Sequence, residues 1–238
     1  MSFYWLFLFC TAAYLFGNIN FSIILSKFKL KNDIRSSGSG NPGATNMLRK
    51  FGFKWGLAVL LLDMAKGALP ALVGFLVFKL TADTKSAGIA AGRIALYSCG
   101  LAAVLGHCFP VFYKFKGGKG VATTVGVFAV ANPILAFVAL AAGMVYGAFF
   151  HYASQSSFIF ITAAALWEGF MGWEWSIGPG NANPTVHIIL IVLYGLILFT
   201  HRHNIWKLLT GQENRALLFG RLKRKKDKIK QQQWLTEV

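Results

Sequence analysis

The sequence predicts an all-α polytopic membrane protein, a single bundle of seven transmembrane helices with its N-terminus out and its C-terminus in. Three observations predict it. Of the 238 residues, 55% are hydrophobic and only 13% charged, with a mean hydropathy of +0.53, whereas a soluble domain averages about 25% charged residues. Apolar runs of at least ~18 residues recur, long enough to cross a hydrocarbon core as helix. The basic residues fall in blocks between those runs, and that orients the bundle.

Segment one spans Phe3 to Leu25. It lacks a basic n-region and an A-x-A-like cleavage site and is too long for a signal-peptide core, so a retained helix is expected. Segment two runs from Trp55 to Phe78, and segment three from Ile89 to Leu105. The apolar stretch Val121–Phe150 holds 30 residues; as one helix it would measure roughly 45 Å against a hydrocarbon core of ~30 Å. Asn132-Pro133 lies inside it, and proline removes an N–H and disfavours helix at the residue before it. Two helices meeting there, segments four and five, are the expectation. Segment six covers Phe158 to Trp173, and segment seven Pro184 to Thr200.

Charge counting tests the split. Of 24 Lys and Arg, seven lie in Lys27–Lys54, three in Lys114–Lys119 and ten from Arg202 onward. Under the positive-inside rule these blocks face the cytoplasm together, which an undivided Val121–Phe150 forbids. The Tyr152–Ser157 turn then joins them. The other face receives Leu80–Ser86, the Asn132-Pro133 turn and the Glu174–Asn183 loop, with Trp167, Trp173 and Trp175 as an aromatic belt and Arg93 snorkelling. Residues 1–220 form one membrane unit, and 221–238 a basic cytoplasmic tail suited to anionic lipid head groups.

Other classes are excluded. Cys10, Cys99 and Cys108 are scattered with no C-x-x-C spacing, so no metal site or disulfide framework is expected. The net charge of +16 could serve nucleic acid, but the hydropathy assigns it to a membrane surface, and no nucleic-acid motif accompanies it.

Chemistry concentrates in three loops beside the spans. The first, RSSGSGNPGATNMLR from Arg35 to Arg49, has Gly38, Gly40 and Gly43 to bend the backbone into an anion-binding nest. Ser39, Asn41, Thr45 and Asn46 add short donors, and Arg35 and Arg49 fixed charge. The second, Gly106 to Thr124, carries Lys116, Gly117, Gly118, Lys119 and Gly120 just before a helix start at Val121, where free N–H groups suit an anion. Val121 stands where a Walker A loop needs Ser or Thr, so nucleotide hydrolysis is not expected. Taken alone this string is as consistent with an ordinary positive-inside loop. The third, His201 to Arg215, places His201 and Asn204 on one helical face beside Arg202 and Lys207, with His203 pointing elsewhere.

Together these strings resemble the three cytoplasmic loops of the bacterial acyl-phosphate:glycerol-3-phosphate acyltransferase family, over nearly the whole chain. The resemblance implies transfer of a fatty acyl group from acyl phosphate to the 1-hydroxyl of sn-glycerol 3-phosphate, giving lysophosphatidic acid, in the bacterial inner membrane. It implies no cofactor and no metal, and a monomer in contact with membrane lipid. The family's pattern falls on Ser39, Gly40, Asn41, Thr45, Asn46 and Arg49, on His107, Lys119 and Gly120, and on His201, Asn204 and Glu213. Arg49 and Lys119 are assigned to substrate phosphates; Ser39, Asn41 and Asn204 to phosphate or glycerol oxygens; His201 to the transfer centre. The general base is His201 or a substrate phosphate oxygen, and the resemblance favours the phosphate. None of the five histidines is followed five positions on by Asp, so the H-x4-D chemistry of coenzyme A-linked acyltransferases is absent.

The other polar residues carry two readings each. Glu213 either binds glycerol hydroxyls or bridges to Arg49 or Arg215. His107 ends a span and is read as structural. Asp63 and Lys66 lie at i,i+3 inside segment two and read as a self-neutralising packing pair rather than a site. Ser154 and Ser157 either reach the site or cap segment six, and Ser157 enters the site only through the resemblance. A transporter for a phosphorylated solute is the competing class, but no internal repeat is present and polar groups gather at one face.

Overall fold

The computed structural model describes residues 3–150, 153–177 and 184–212, and its regular structure there is helical. In chain order the α-helices are α1 (Phe3–Gly17), α2 (Phe21–Ile24), α3 (Ala44–Phe51), α4 (Phe53–Leu80), α5 (Lys85–Cys108), α6 (Val121–Ala131), α7 (Pro133–Phe150), α8 (Ala153–Ile177), α9 (Thr185–Thr200) and α10 (Arg202–Leu209). Among the described residues, three helical stretches are long and apolar enough to cross a membrane: Phe3–Lys29, Phe53–Leu80 and Lys85–Tyr113. A fourth is the pair α9 and α10, bent by 60°.

Segment one is not a single helix. The break follows Gly17, where Asn18 turns its side-chain amide onto the Tyr14 carbonyl at 2.6 Å and Asn20 caps α2 by accepting from the Ile23 N–H at 3.1 Å. Asparagine offers the backbone a local alternative to the helical ladder, and two of them suffice to interrupt it. A π-turn over Leu25–Lys29 then leads out of α2. α4, by contrast, runs through Pro70 unbroken, as membrane helices tolerate.

The structure divides the long apolar run at Asn132-Pro133. Asn132 ends α6 and its side chain accepts from the Leu135 N–H at 3.0 Å, so it caps α7, with Pro133 in the first-turn position that proline favours. α6 has only 11 residues, about 16 Å of rise, and cannot cross a ~30 Å core by itself. α8 starts at Ala153 and runs to Ile177, so the expected inner turn is shorter and the first residues of the expected outer loop are helical. The remainder of that loop, 178–183, lies outside the described residues.

Bare backbones hold the centre together. A Cβ on Gly67 would collide with the Thr123 carbonyl, and one on Gly126 with the Met64 carbonyl, so α4 and α6 touch main chain to main chain at two points. Gly17 against Ala103 and Gly106 against Tyr14 do the same for α1 and α5. Small-residue contact is how helices associate where lipid offers no hydrophobic drive.

The molecule is apolar outside and holds polar side chains within its apolar core. Phe7, Leu61, Leu69, Phe137, Phe149, Leu166 and Ile191 are exposed, while Asn18, Asn20, Asp63, Lys66, His107, Thr123, Thr124 and Glu168 are buried. Asp63 and Lys66 pair as expected, at 2.9 Å. Arg93 is paired: its Nη2 donates to Glu168 Oε2 at 3.1 Å, the Tyr97 hydroxyl donates to the same oxygen, and the guanidinium lies 6.0 Å from the Tyr97 ring centre.

Candidate active site

The first loop folds on itself. Asp33 caps the 3-10 turn Ile34–Ser36, and its carboxylate takes Arg35 as a two-armed partner, with Lys27 at 3.4 Å. The Arg35 hydrogen bonds hold the Asp33 carboxyl well below the usual range, so Arg35 is an internally paired charge. Asn46 is buried and spends its amide on the loop: Nδ2 donates to the Ile34 and Ser37 carbonyls at 3.2 and 2.9 Å, and Oδ1 accepts from the Ser39 N–H at 3.3 Å. Gly38, at φ +59°, lies directly against that amide and leaves no room for a Cβ. Asn46 therefore acts as the loop's scaffold. The same scaffold leaves Ser39 and Thr45 exposed, Gly40 and Asn41 half-buried ahead of α3, and Arg49 half-buried in the last turn of that helix.

The second loop is held by its neighbours. The Gly117 and Gly118 N–H groups donate to the Cys108 and His107 carbonyls, each at 3.1 Å. Gly120 takes φ +85° and caps α6, a left-handed geometry that glycine adopts without strain. Lys114 and Phe115 also adopt positive φ. His107 is buried beneath the loop, and its Nε2 sits where a Gly118 Cβ would be. It is shielded by the glycine string from anything lying on the outer side of that string.

The third loop closes on the second. Thr200 Oγ1 donates to the Lys119 carbonyl at 3.0 Å, and Lys119 Nζ donates to the Asn204 side-chain oxygen, across 85 residues of chain. His201 occupies the corner between α9 and α10. Its Nδ1 donates to the Ile197 carbonyl at 2.8 Å, its ring meets Phe158 edge-on at 5.2 Å, and it is buried. Burial, reinforced by the Lys119 charge, lowers its pKa to about 4. The imidazole is thus neutral at pH 7, with its proton on Nδ1 and a lone pair on Nε2.

Of the other candidates, Ser157 is half-buried in the second turn of α8, beside Phe158. Ser154 and Ser157 lie within α8 rather than ahead of it, so neither caps it. Arg202 folds back onto Phe199, with its charge 4.4 Å from the ring centre, and leaves the His201–Asn204 face. His203 is exposed. Glu213 and the basic tail lie outside the described residues.

Tyr113 of the second loop packs against the Ile23, Ile34, Met47 and Val59 cluster under the first. All three loops therefore share one end of the bundle. Thr200 and Tyr113 escaped the sequence reading; the signal for Thr200 was its place next to His201, but a hydroxyl at a helix end is too common to single out. Glu168 was a visible intramembrane carboxylate.

Comparison with known proteins bears on the family and the overall fold. The glycerol-3-phosphate acyltransferase family model matches residues 7–211. The chain is 38% identical over 219 residues to the glycerol-3-phosphate acyltransferase of Mycoplasmopsis pulmonis, covering 86% of this chain and 90% of that one. It is 40% identical over 203 residues to that of Aquifex aeolicus, covering 85% and 95%. Among solved structures, PlsY (YgiH), an integral membrane glycerol 3-phosphate acyltransferase, superposes in its glycerol 3-phosphate form with a TM-score of 0.74 at 36% identity, covering 88% of this chain and 94% of that one. Its lysophosphatidic acid form superposes with a TM-score of 0.72 over the same shares.

Proposed function

The chain belongs to the glycerol-3-phosphate acyltransferase family and is an integral membrane protein; from that premise we propose that it moves a fatty acyl group from acyl phosphate to the 1-hydroxyl of sn-glycerol 3-phosphate. The products are 1-acyl-glycerol 3-phosphate (lysophosphatidic acid) and inorganic phosphate. The glycerol 3-phosphate and lysophosphatidic acid forms of PlsY support the choice of acceptor and product. The observation that carries the reading is the Lys119 ammonium, held by Asn204 on a glycine-built turn at the start of α6. That places a fixed cation next in sequence to a helix N-terminus, and both suit a phosphate.

In the transfer, the glycerol hydroxyl oxygen bonds to the acyl carbonyl carbon. The bond from that carbon to the bridging phosphate oxygen breaks, and phosphate leaves with the electron pair. Lys119 stabilises the charge that develops on the leaving phosphate, and Arg49, Ser39 and Asn41 hold the phosphate and hydroxyls of the acceptor. The hydroxyl proton goes to a phosphate oxygen. His201, held to about 4 by burial, is a weaker base than a phosphate ester with a second pKa of about 6. It orients the reacting groups as a neutral hydrogen-bonding partner.

We place the protein as a seven-span monomer in the bacterial cytoplasmic membrane, N-terminus out and C-terminus in. The one-sided distribution of basic blocks supports that orientation. The short α6 fits a span that begins below the membrane surface, which recesses the Lys119 turn toward the acyl chains.

The test offers labelled glycerol 3-phosphate to the purified protein with acyl phosphate, acyl coenzyme A or acyl carrier protein as separate donors, and Lys119→Ala as control. Lysophosphatidic acid formed from acyl phosphate alone, and lost in the variant, is expected. Product from a thioester overturns the donor; no product from any donor by folded protein overturns the enzyme reading.

A further inference from the structure

Beneath the Lys119 turn lies a buried polar cluster that the reaction above does not use. Asp63 and Lys66 on α4 pair at 2.9 Å with side chains 2% and 0% exposed. Lys66 Nζ also donates to the Ile19 carbonyl at 2.8 Å, in the break between α1 and α2. Asp63 is thereby pinned to two elements. His107 Nδ1 lies 3.8 Å from the same Asp63 Oδ1 that pairs with Lys66, and that ring nitrogen is buried without a hydrogen-bond partner. The opposite edge of the same ring rests on Gly118, whose N–H is bonded to the His107 carbonyl. In the first turn of α6, the Thr123 and Thr124 hydroxyls are likewise buried and unpartnered.

Buried polar atoms are rarely left unpaired, because each costs its full desolvation. The Asp63–Lys66 pair is closed through Oδ1, but the His107 Nδ1 beside that oxygen is left unanswered. The gap between 3.8 Å and hydrogen-bond range is about 1 Å. A ring movement of that size would carry Gly118 with it, since the ring and the carbonyl of His107 grip that residue from both sides. Lys119 is the next residue.

We propose that Asp63 is a positioning residue for acyl transfer: it acts through the His107 ring to set the Gly118–Lys119 turn at the height that receives the transferring phosphate. This rests on the acyl-transfer reading above. Lys66 anchors Asp63, and His107 transmits its position to the loop. Misplacement by about 1 Å is enough to cost on the order of 100-fold in rate.

The experiment is a double-mutant cycle of Asp63→Asn and His107→Gln in the full-length protein, with Asp63→Asn/Lys66→Met as the charge-neutral control. Each single variant is expected to lower kcat for transfer from acyl phosphate at least about tenfold. The double variant is expected to fall no further, because both act on one path. The Asp63→Asn/Lys66→Met protein is expected to regain wild-type thermal stability, since removing both charges relieves the unpaired one, while its kcat stays low. Additive losses, or a charge-neutral variant with wild-type kcat, overturn the proposal. Tryptic cleavage after the exposed Lys116 reads the loop without the reaction. Faster cleavage in Asp63→Asn and His107→Gln alike supports the positioning path even if wild-type protein transfers no acyl group; unchanged cleavage in both overturns it.

Discussion

Two buried ionic clusters share α5, and they are built differently. At the end of α5 away from the motif loops, the outer end, Glu168 Oε2 accepts from both Arg93 and Tyr97, so charge and lone pairs are answered within the cluster. It ties α5 to α8 and touches no motif loop. At the inner end, Asp63 Oδ1 and His107 Nδ1 face each other without a hydrogen bond, and the His107 ring lies under the glycine turn. Burying charge inside a membrane bundle does not by itself mark function. What separates the two is whether the polar atoms are used up, and whether the cluster leans on a loop.

Breaking the inner end is expected to cost rate. Lys119→Met should lower kcat/KM for acyl transfer by about 100- to 1,000-fold, the range for losing one donor to a charge developing in the transition state, with thermal unfolding in detergent unchanged. Next comes Gly118→Ala, whose Cβ would strike His107 Nε2. On the order of 100-fold in kcat should go as the turn is pushed outward, and steady-state kinetics would read it.

Breaking the outer end is expected to cost stability instead. Glu168→Gln keeps the shape but removes the charge that holds Arg93, and should destabilise by about 1–3 kcal/mol. A lowered unfolding midpoint with an unaltered kcat per folded molecule is the expected result. A pH-dependent effect, absent at neutral pH, sharpens the contrast. The His201 pKa is lowered from 6.5 to about 4, so the unfolded chain takes up its proton first as pH falls through 6.5. Stability present above that pH is lost progressively down to about 4, at up to ~1.4 kcal/mol per unit. Unfolding midpoints between pH 7 and 4.5 should fall less in His201→Gln than in wild type.

What the sequence made legible was local. The apolar runs gave most helices, and Asn132-Pro133 marked a real boundary because proline acts on its own residue and its neighbours. The loop residues stood out because glycine, asparagine and lysine are conspicuous in a greasy chain. Long-range contacts were not legible. Nothing near Lys119 in sequence announces Asn204 or Thr200, and nothing near Arg93 announces Glu168; such partners are chosen by helix packing. The shortness of α6 was hidden too, because apolar length alone counts residues without saying where a cap will fall. Asn46 looked like a ligand group, since its type is right for one. Only its three bonds to the loop backbone reveal a scaffold.

The most direct test measures kcat and the thermal unfolding midpoint on the same samples of Lys119→Met and Glu168→Gln. A crossing is expected. Lys119→Met should lose rate and keep its midpoint, and Glu168→Gln should lose its midpoint and keep its rate. If the two variants lose rate and stability in the same proportion, the inner and outer clusters are not different in kind, and the division of labour argued here is wrong.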